Sequence, residues 1–529
     1  MVRVPEVPYE PTMPAVVRRA AKEFGDEDFI VLPDRRISFR EAEQASRRLA
    51  KELLAAGVGK GTRVGIHLVT GPEWAVAFIA AARIGALTMP FSTIYRPAEL
   101  RRAMQIGDVA LLLTSSTMLG KDHAAFLEES IPGLASADGS PLRVVELPYL
   151  RSVWLLGQSQ RPWARPFAVT PEDADAEVDG IDDAFLEAVE AAVTPADLLT
   201  VVFTSGTTAD PKGVIHTHGA TLRKTAPVAN AGLDTTFPGR VLNFMPFFWI
   251  GGLQNVVGAL QSGAAVLSLE RLDAEAAIEL AQRERATSFN GNLTTLTSLF
   301  GSPDGSSLGL SSLRPLPKRP WDGGPSSKGE PPTALGMTET MGGWAGVDGF
   351  DCRVIDPETG RELPEGDEGE FYVRGYSLMQ GLYKREREEV FTPDGFYATG
   401  DLGYLENGLV YFHGRLTEMI KTKGANVAPP EVEAVLNSFP EVRVSFVVGL
   451  PHEDYGQEVA AAIVPEEGHS IDVDRLLAEA RKQISPFKVP TVVAIVAEED
   501  IPFLSSSKAD KRAIAAMLAR HREQLRAKA

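Results

Sequence analysis

Short apolar stretches alternate with amphipathic helical patterns along residues 38–114, and this alternation restricts the possible fold more than any other feature of the chain. Ser38 and Glu41 have the spacing of a capping box, and apolar residues then recur at three- and four-residue steps up to Gly57. A second helix is predicted at 72–84, and apolar runs predict strands at 63–69, 86–90 and 110–114. Strands that alternate with helices favour parallel sheets covered by helices.

The carboxyl-terminal region has a different pattern and predicts a separate, smaller domain. Strands are predicted at 443–449 and 491–496, and helices at 473–484 and 511–526. Because single hydrophobic cores stop growing near roughly 250 to 300 residues, a chain of 529 residues should divide. We expect a large domain over residues 1–416 and a small, mobile α+β domain over residues 417–529.

Composition and charge exclude several classes of function. The net charge of −18 argues against a nucleic-acid partner, because phosphate backbones bind basic surfaces. The single cysteine, Cys352, and an amino terminus without an apolar signal region predict a cytoplasmic protein. The longest apolar run, 74–91, contains Arg83 and Gly85, so we expect a buried helix and strand there and no membrane span. An acidic stretch at 171–196 is expected to form a solvated face or a peripheral connection.

The segment 203–213, Phe-Thr-Ser-Gly-Thr-Thr-Ala-Asp-Pro-Lys-Gly, has the chemistry of a phosphate-binding loop. Backbone N–H groups in such a turn form a nest for an anion, the hydroxyls add donors, and Lys212 adds a positive charge. A Walker A loop would need Gly-Lys-Ser/Thr at the start of a helix, whereas Lys212 lies between Pro211 and Gly213. The two remaining interpretations are a phosphate loop of another kind and an ordinary Ser/Thr turn.

Further motifs follow this loop in a fixed order. They are Met-Pro-Phe-Phe-Trp-Ile-Gly-Gly at 245–252, Leu-Gly-Met-Thr-Glu-Thr at 335–340, Tyr-Ala-Thr-Gly-Asp at 397–401 with Gly-Arg at 414–415, Lys-Thr-Lys-Gly-Ala-Asn-Val-Ala-Pro-Pro-Glu at 421–431, and Lys508. Together with the loop, they resemble the AMP-forming ligases, the superfamily of acyl-CoA synthetases, peptide-synthetase adenylation domains and beetle luciferases. The resemblance spans most of the chain. It implies an α/β fold in which a large amino-terminal domain has two flanked β-sheets and a distorted β-barrel, followed by a small mobile α+β domain.

The resemblance also implies the reaction of an acid:CoA ligase. In this family, a carboxylate attacks the α-phosphorus of ATP to give an acyl-adenylate and pyrophosphate, and the acyl group then passes to CoA or to another nucleophile. Because two anions must meet, fixed positive groups and Mg²⁺ have to offset their repulsion. The implied cofactors are therefore ATP, Mg²⁺ and CoA, and the implied partner is a small carboxylic acid.

The resemblance assigns the nucleotide contacts residue by residue. Glu339 is the carboxylate assigned to Mg²⁺, which prefers a few oxygen ligands. Asp401 is assigned to the ribose, because a carboxylate accepts from both hydroxyls of a diol, and Arg415 to ribose or phosphate oxygens. Without the family context, these would be read as a surface glutamate, a turn aspartate and a surface arginine. The residues assigned to the phosphates and beside the adenylate are Thr204, Ser205, Gly206, Thr207, Thr208, Lys212, Gly336, Met337 and Thr338.

The carboxyl-terminal residues are assigned to both steps of the reaction. Lys508 matches the lysine that bridges the substrate carboxylate and the α-phosphate, and Thr417 matches the hinge about which the small domain turns between steps. Lys421 and Asn426 resemble residues around the adenylate, while Lys423 and Gly424 match the Lys-Gly of coumarate-type CoA ligases that accompanies CoA. In a loop without this context, such a lysine pair would be a solvated surface feature.

Trp249, Phe248 and Gly251 occupy positions beside the acyl pocket of the family and predict a hydrophobic wall. We therefore expect an aromatic or medium-sized apolar acid, although a core aromatic cluster explains the same residues. His216 and His218 lack a third ligand, so no zinc site is predicted there.

Several departures from the family pattern keep two alternatives open. They are Ala209, Leu335 and Ser507, together with a shortened segment before Gly336 on the adenine side. One alternative passes the adenylate to a carrier-protein thiol, an amine or another nitrogen nucleophile, and the other is a noncatalytic nucleotide-binding homologue. A monomer or a homodimer is expected.

Overall fold

The chain has a mixed α/β fold with a large amino-terminal domain and a small carboxyl-terminal domain, as predicted. The computed structural model describes residues 4–139, 141–157, 159–171, 175–204, 211–226, 239–291, 335–345, 349–422, 425–452, 456–484, 486–503 and 509–528. These residues form two compact units. The first unit contains the described residues up to 291 with 336–345, 349–350 and 375–391, and the second contains residue 335, 351–374 and the described residues from 392 onward. The predicted boundary between residues 416 and 417 lies within the second unit and stays a prediction.

The strands are numbered in chain order. The first sixteen are β1 (Asp28–Val31), β2 (Arg36–Ser38), β3 (Arg63–His67), β4 (Leu87–Pro90), β5 (Leu111–Ser115), β6 (Thr117–Met118), β7 (Lys121–Asp122), β8 (Ser152–Leu156), β9 (Ala164–Phe167), β10 (Leu198–Thr204), β11 (Lys212–Thr217), β12 (Arg240–Asn243), β13 (Ala265–Leu267), β14 (Ser288–Asn290), β15 (Gly336–Met337) and β16 (Gly342–Gly343). The others are β17 (Phe350–Ile355), β18 (Gly369–Gly375), β19 (Gly381–Leu382), β20 (Tyr397–Glu406), β21 (Leu409–Arg415), β22 (Ile420–Thr422), β23 (Ala425–Val427), β24 (Val442–His452), β25 (Gly456–Pro465) and β26 (Val492–Ile495).

The α-helices are numbered in the same way. They are α1 (Met13–Glu23), α2 (Phe39–Ala55), α3 (Pro72–Arg83), α4 (Pro97–Gly107), α5 (His123–Ser130), α6 (Asp183–Ala191), α7 (His218–Thr225), α8 (Ile250–Ser262), α9 (Ala274–Arg283), α10 (Arg387–Val390), α11 (Pro429–Asn437), α12 (Val473–Ala480) and α13 (Lys511–Lys528). Short 3₁₀ turns occur at Pro132–Ser136, Thr338–Thr340 and Glu498–Asp500. Within the described residues, no helix is long and apolar enough to span a bilayer.

An eight-stranded sheet forms the centre of the first unit, with the strand order β19-β11-β10-β4-β3-β5-β8-β9. The strands from β10 to β9 in this order run parallel, whereas β11 and β19 are antiparallel additions at one edge. The parallel strands β3, β4 and β5 are almost entirely buried, because helices cover both faces of such a sheet. This explains why their sequences are apolar runs without polar alternation.

A second sheet of the first unit has the order β14-β12-β13-β1-β2, in which only β2 is antiparallel. Helix α2 begins directly after β2 with the predicted capping box. The Ser38 hydroxyl accepts from the Glu41 N–H at 3.2 Å, and the Glu41 carboxylate accepts from the Ser38 N–H at 2.8 Å. A cap of this kind contributes about 1 kcal/mol, and the local pattern therefore fixes where α2 begins.

The second unit contains two sheets. One has the order β17-β18-β20-β21, and the other has the order β23-β22-β25-β24 with β26 added parallel to β25. Successive residues of β25 point to opposite faces, and each face has its own core. Val459, Ala461 and Ile463 pack with α11 and α12, whereas Ala460, Ala462 and Val464 pack with α13. The small α+β arrangement predicted for this region is confirmed, although α12 ends at Ala480, before residue 484.

Candidate active site

The predicted phosphate loop connects β10 to β11, and the two residues that flank it face each other. Thr204, the last residue of β10, is the antiparallel partner of Lys212, the first residue of β11. Both side chains are half-buried. Ser205, Gly206, Thr207 and Thr208 lie outside the described residues. The hairpin thus brings a hydroxyl and an ammonium to the two ends of one short connection.

The segment that carries Glu339 is held along its whole backbone. It forms a small hairpin in which β15 pairs with β16 and Thr338–Thr340 makes a 3₁₀ turn between them. The six consecutive carbonyls from Thr338 to Gly343 each accept a hydrogen bond. In order, the donors are His216 Nε2 (2.7 Å), the Met379 N–H (2.7 Å), Ser377 Oγ (3.0 Å), Gln254 Nε2 (2.7 Å), Thr340 Oγ1 (2.6 Å) and Lys224 Nζ. The Thr338 carbonyl also accepts from the Met341 N–H at 3.1 Å, which closes the 3₁₀ turn.

These bonds stabilise a backbone that the sequence alone would not favour. Met341 is fully buried with a φ of +54°, a left-handed conformation that costs a residue with a side chain about 1 to 3 kcal/mol. Gly342 follows with a φ of +92°, and a Cβ atom there would lie 2.5 Å from Gln254 Nε2. The surrounding donors therefore determine the course of the chain around Glu339.

Glu339 is half-buried and fits a magnesium site of one type only. In the described part of the chain, no three His, Cys, Asp or Glu side chains lie close enough together to hold a metal ion. A metal held entirely by protein ligands has no place among these residues. Mg²⁺ held by one carboxylate and by phosphate oxygens of a nucleotide does fit, because this ion usually binds few protein ligands.

Two buried histidines follow Lys212, and each has a hydrogen-bond partner. His216 lies on β11 and donates to the Thr338 carbonyl, whereas His218 starts α7 and accepts from the Met13 N–H at 3.1 Å. Burial lowers the pKa of each ring to about 4, so both are neutral near pH 7. Each ring thus serves the packing of the protein, one against the Thr338 carbonyl and the other against the start of α1.

Lys224 was missed by sequence reasoning. It lies on α7, is 2% exposed, donates to the Gly343 carbonyl and lies 5.2 Å from the centre of the Phe350 ring. Burial lowers its pKa to about 8. The sequence signal is weak, because a lysine in the last turn of a helix usually interacts with the helix dipole and water.

The predicted acyl wall lies at the start of α8. Trp249 is the residue before α8 and is half-buried, and its ring meets the buried Phe248 edge-on at 5.7 Å. Gly251 lies in the first turn, next to the Met245 side chain. At Gly252, an added Cβ would overlap the Pro246 carbonyl, so only glycine fits at this position. Phe247, the residue before Phe248, belongs to the core and meets the Trp74 ring at 5.5 Å.

In the second unit, Asp401 and Arg415 are partners on β20 and β21. Arg415 Nε lies 2.7 Å from Asp401 Oδ1, and Arg415 Nη1 donates to the Thr399 carbonyl at 3.2 Å. Asp401 is almost fully buried, whereas Arg415 is exposed. Glu370, which sequence reasoning missed, accepts from the Gly400 N–H at 2.8 Å, and burial raises the pKa of its carboxyl. Arg415 thus holds the Asp401 carboxylate, and Glu370 holds the backbone of the preceding residue, Gly400.

The other predicted residues of the second unit lie on turns and hairpins. Lys421 and Asn426 are partners on β22 and β23, while Lys423 and Gly424 lie outside the described residues. Thr417 is exposed in the turn between β21 and β22. Lys508 also lies outside the described residues. The chain on either side of it is joined by a bridge between Phe503 and Ala509 and by a 2.8 Å bond from the Asp510 N–H to the Pro502 carbonyl.

Comparison with known proteins identifies the family. Residues 17–383 match the model of the AMP-binding enzymes, and residues 431–508 match that of the AMP-binding enzyme C-terminal domain. The putative acyl-CoA synthetase YngI of Bacillus subtilis is 28% identical, with 94% of this chain and 96% of that protein covered. 4-Coumarate–CoA ligase 3 of Oryza sativa subsp. japonica is 27% identical over 91% of this chain and 87% of its own length. The crystal structure of ATP-bound MatB from Rhodopseudomonas palustris is 25% identical with a TM-score of 0.71, covering 96% of this chain and 99% of that one.

The family models cover most of the chain, and the fold agrees with that of the solved relative. The sequence-based assignment is therefore confirmed: the chain belongs to the AMP-binding enzymes of the adenylate-forming (ANL) superfamily and resembles its acyl- and aryl-CoA ligases.

Proposed function

We propose that this protein is an AMP-forming acid:CoA ligase. A carboxylate oxygen of the acid bonds to the α-phosphorus of ATP, the bond from that phosphorus to the β-phosphate oxygen breaks, and pyrophosphate leaves. The CoA thiol then loses its proton and bonds to the acyl carbon, and AMP leaves. The observation that carries the proposal is the support of the Glu339 segment, in which six consecutive carbonyls are hydrogen-bonded around the carboxylate that we assign to Mg²⁺.

The residues of the first unit have roles in holding the triphosphate. Lys212 and Thr204, together with Ser205, Gly206, Thr207 and Thr208, would bind the β- and γ-phosphates. Glu339 would hold Mg²⁺, which offsets the phosphate charge when bound. Gly336, Met337 and Thr338 would line the adenylate from the same hairpin. These donors and charges would offset the negative charge of the triphosphate, which is the main way that enzymes stabilise phosphoryl chemistry.

The residues of the second unit have roles with the nucleoside, the acid and CoA. Asp401 would accept hydrogen bonds from the ribose hydroxyls. Arg415 would hold the Asp401 carboxylate in place and would also donate to ribose or phosphate oxygens. Lys508 would bridge the acid carboxylate and the α-phosphate. Lys421 and Asn426 would contact the adenylate, Lys423 and Gly424 would accompany CoA, and Thr417 would be the hinge for the change between steps.

The acid is proposed to be aromatic or of medium size and apolar. Trp249 and Phe248 supply an aromatic surface, and Gly251 lets the Met245 side chain pack close to it, since an added Cβ there would lie 3.0 Å from Met245 Cε. One relative named above is a 4-coumarate–CoA ligase, which supports an aromatic acid. We place the enzyme in the cytoplasm, since a chain with a single cysteine cannot form an intrachain disulfide and suits a reducing compartment.

ATP–pyrophosphate exchange across a panel of aromatic and aliphatic acids tests the proposal. We expect acid-dependent exchange with at least one aromatic or medium-sized apolar acid, and conversion of that acid to its thioester only when CoA is added. Exchange followed by product formation without CoA would identify another acceptor. The absence of exchange with every acid would identify a noncatalytic nucleotide-binding homologue.

A further inference from the structure

We propose that His216 is a positioning residue that couples the phosphate hairpin to the metal-binding carboxylate, Glu339. This inference rests on the proposed function, because it concerns how the MgATP site is held together. His216 itself touches neither nucleotide nor metal in this scheme. It acts through the peptide bond between Thr338 and Glu339.

The geometry begins with β11. Side chains alternate along a strand, so Lys212 and His216, four residues apart, lie on the same side of β11. Lys212 is the partner of Thr204 at the phosphate loop, and His216 Nε2 lies 2.7 Å from the Thr338 carbonyl oxygen. One strand therefore carries the ammonium for the phosphates at its start and a fixed contact to the Glu339 segment near its end.

The hydrogen bond has only one possible direction. A carbonyl oxygen accepts, so His216 Nε2 must carry the proton and donate it. The ring is completely buried, so bulk solvent does not compete for the bond. Without this donor, the Thr338 carbonyl would keep only the bond from the Met341 N–H within its own turn, and the peptide plane that leads to Glu339 would lose its contact to β11.

The position of this donor sets it apart from the others. The remaining five carbonyls of the segment are bound by Met379, Ser377, Gln254, Thr340 and Lys224, none of which lies on β10 or β11. His216 is thus the donor that ties the segment to the phosphate hairpin. Residues that orient a metal ligand through a hydrogen bond typically change metal affinity by about 10- to 100-fold when they are removed.

The experiment compares two probes by isothermal titration calorimetry, MgATP and metal-free AMP, on the full chain. AMP lacks the β- and γ-phosphates, so the ratio of the two Kd values isolates the coupled part of the site. The variants are His216→Leu, His216→Gln, whose Nε2 takes the place of the ring Nε2, and His216→Asn, whose Nδ2 takes the place of Nδ1. His218→Leu is the matched control, because it removes a second buried histidine whose contact is with α1.

We expect His216→Leu and His216→Asn to weaken MgATP binding by about tenfold while AMP binding stays unchanged. His216→Gln should restore MgATP binding, and His218→Leu should lower the melting temperature without changing the ratio. The inference is overturned if His216→Leu changes the Kd values of both ligands equally or changes neither, or if His218→Leu shifts their ratio as much. It is also overturned if His216→Gln and His216→Asn have the same ratio of Kd values. This comparison is the test if the protein with His216→Leu does not fold. A parent protein that binds no MgATP contradicts the proposed function itself, and this inference falls with it.

Discussion

Thr204 and Lys212 face each other across the β10–β11 hairpin, as the last residue of one strand and the first residue of the next. The strand pairing therefore fixes the backbone positions from which a hydroxyl and an ammonium extend, whatever the sequence of the connection between them. The two strands continue the eight-stranded sheet into its antiparallel edge, where β11 is also paired with β19. A phosphate site built on this edge has a rigid base on both sides.

Replacement of Lys212 by methionine should lower the rate of adenylation by about 100-fold, because one fixed donor to a developing charge is lost. The measurement is ATP–pyrophosphate exchange with the best acid of the panel. MgATP binding should weaken, whereas AMP binding should not, since AMP lacks the phosphates that Lys212 would contact. The control is Lys60→Met, which removes a surface lysine paired with Asp197 at 2.7 Å. Equal losses of exchange in both variants would contradict the role given to Lys212.

Replacement of Asp401 by asparagine should weaken MgATP and AMP alike, because both contain the ribose. A hydrogen bond to a charged group contributes about 1.5 to 3 kcal/mol, so a loss of tenfold or more in each affinity is expected. Calorimetry of both ligands is the test. The control is Asp351→Asn, which removes the negative charge that pairs Asp351 on β17 with Arg374 on β18. This variant should leave both affinities unchanged. Weakening of MgATP alone would show that Asp401 does not contact the ribose.

Replacement of Glu190 by glutamine should destabilise the protein by about 3 to 5 kcal/mol, the usual result when one partner of a buried ion pair is removed. Glu190 pairs with the buried Arg83 and with Arg18, and Arg83 has Glu43 as its other partner at 3.0 Å. Urea unfolding measures the change. Glu187→Gln, on the exposed side of α6, should change the free energy of unfolding by less than about 0.5 kcal/mol. Similar small values for both variants would contradict a buried network at Glu190.

The features that the sequence predicted well depend on neighbours in the chain. The capping box of Ser38 and Glu41 lies within one helical turn, and the apolar runs of β3, β4 and β5 report burial on both faces of the sheet. Each motif of the family is a short local pattern that can be recognised without knowledge of distant contacts. The order of these motifs along the chain was therefore enough to identify the family. These predictions needed no knowledge of what packs against them.

The features that the sequence did not reveal depend on distant parts of the chain. Lys224 reaches a carbonyl 119 positions away, and His216 reaches one 122 positions away. The hydrophobic pattern of β11 or α7 does not indicate partners so far away in the sequence. Glu190 shows the same limit: the acidic stretch 171–196 was expected to form a solvated face, yet this residue is buried against Arg83. The expectation of a solvated face was wrong at Glu190, because this residue pairs with Arg83 on α3, which is distant in the sequence.

The stability of the protein should decrease as the pH falls from 7 to 5, because of buried histidines. His123 Nε2 lies 3.1 Å from His67 Nδ1, and both rings are buried within the first unit. Burial lowers the pKa of both, and the neighbouring His123 lowers that of His67 further. The unfolded chain therefore binds protons near pH 6.5 that the folded protein does not bind, so the stabilisation is complete above that pH and is lost below it.

One such histidine should account for a loss of about 2 kcal/mol between pH 7 and pH 5. Urea unfolding at the two pH values measures this loss, which should be smaller in a variant that carries both His67→Leu and His123→Leu. His469→Ala, at an exposed position, should keep the pH dependence of the parent. An equal loss in the parent and in the double variant would show that the two rings do not titrate on unfolding, and that the pH dependence arises elsewhere in the chain.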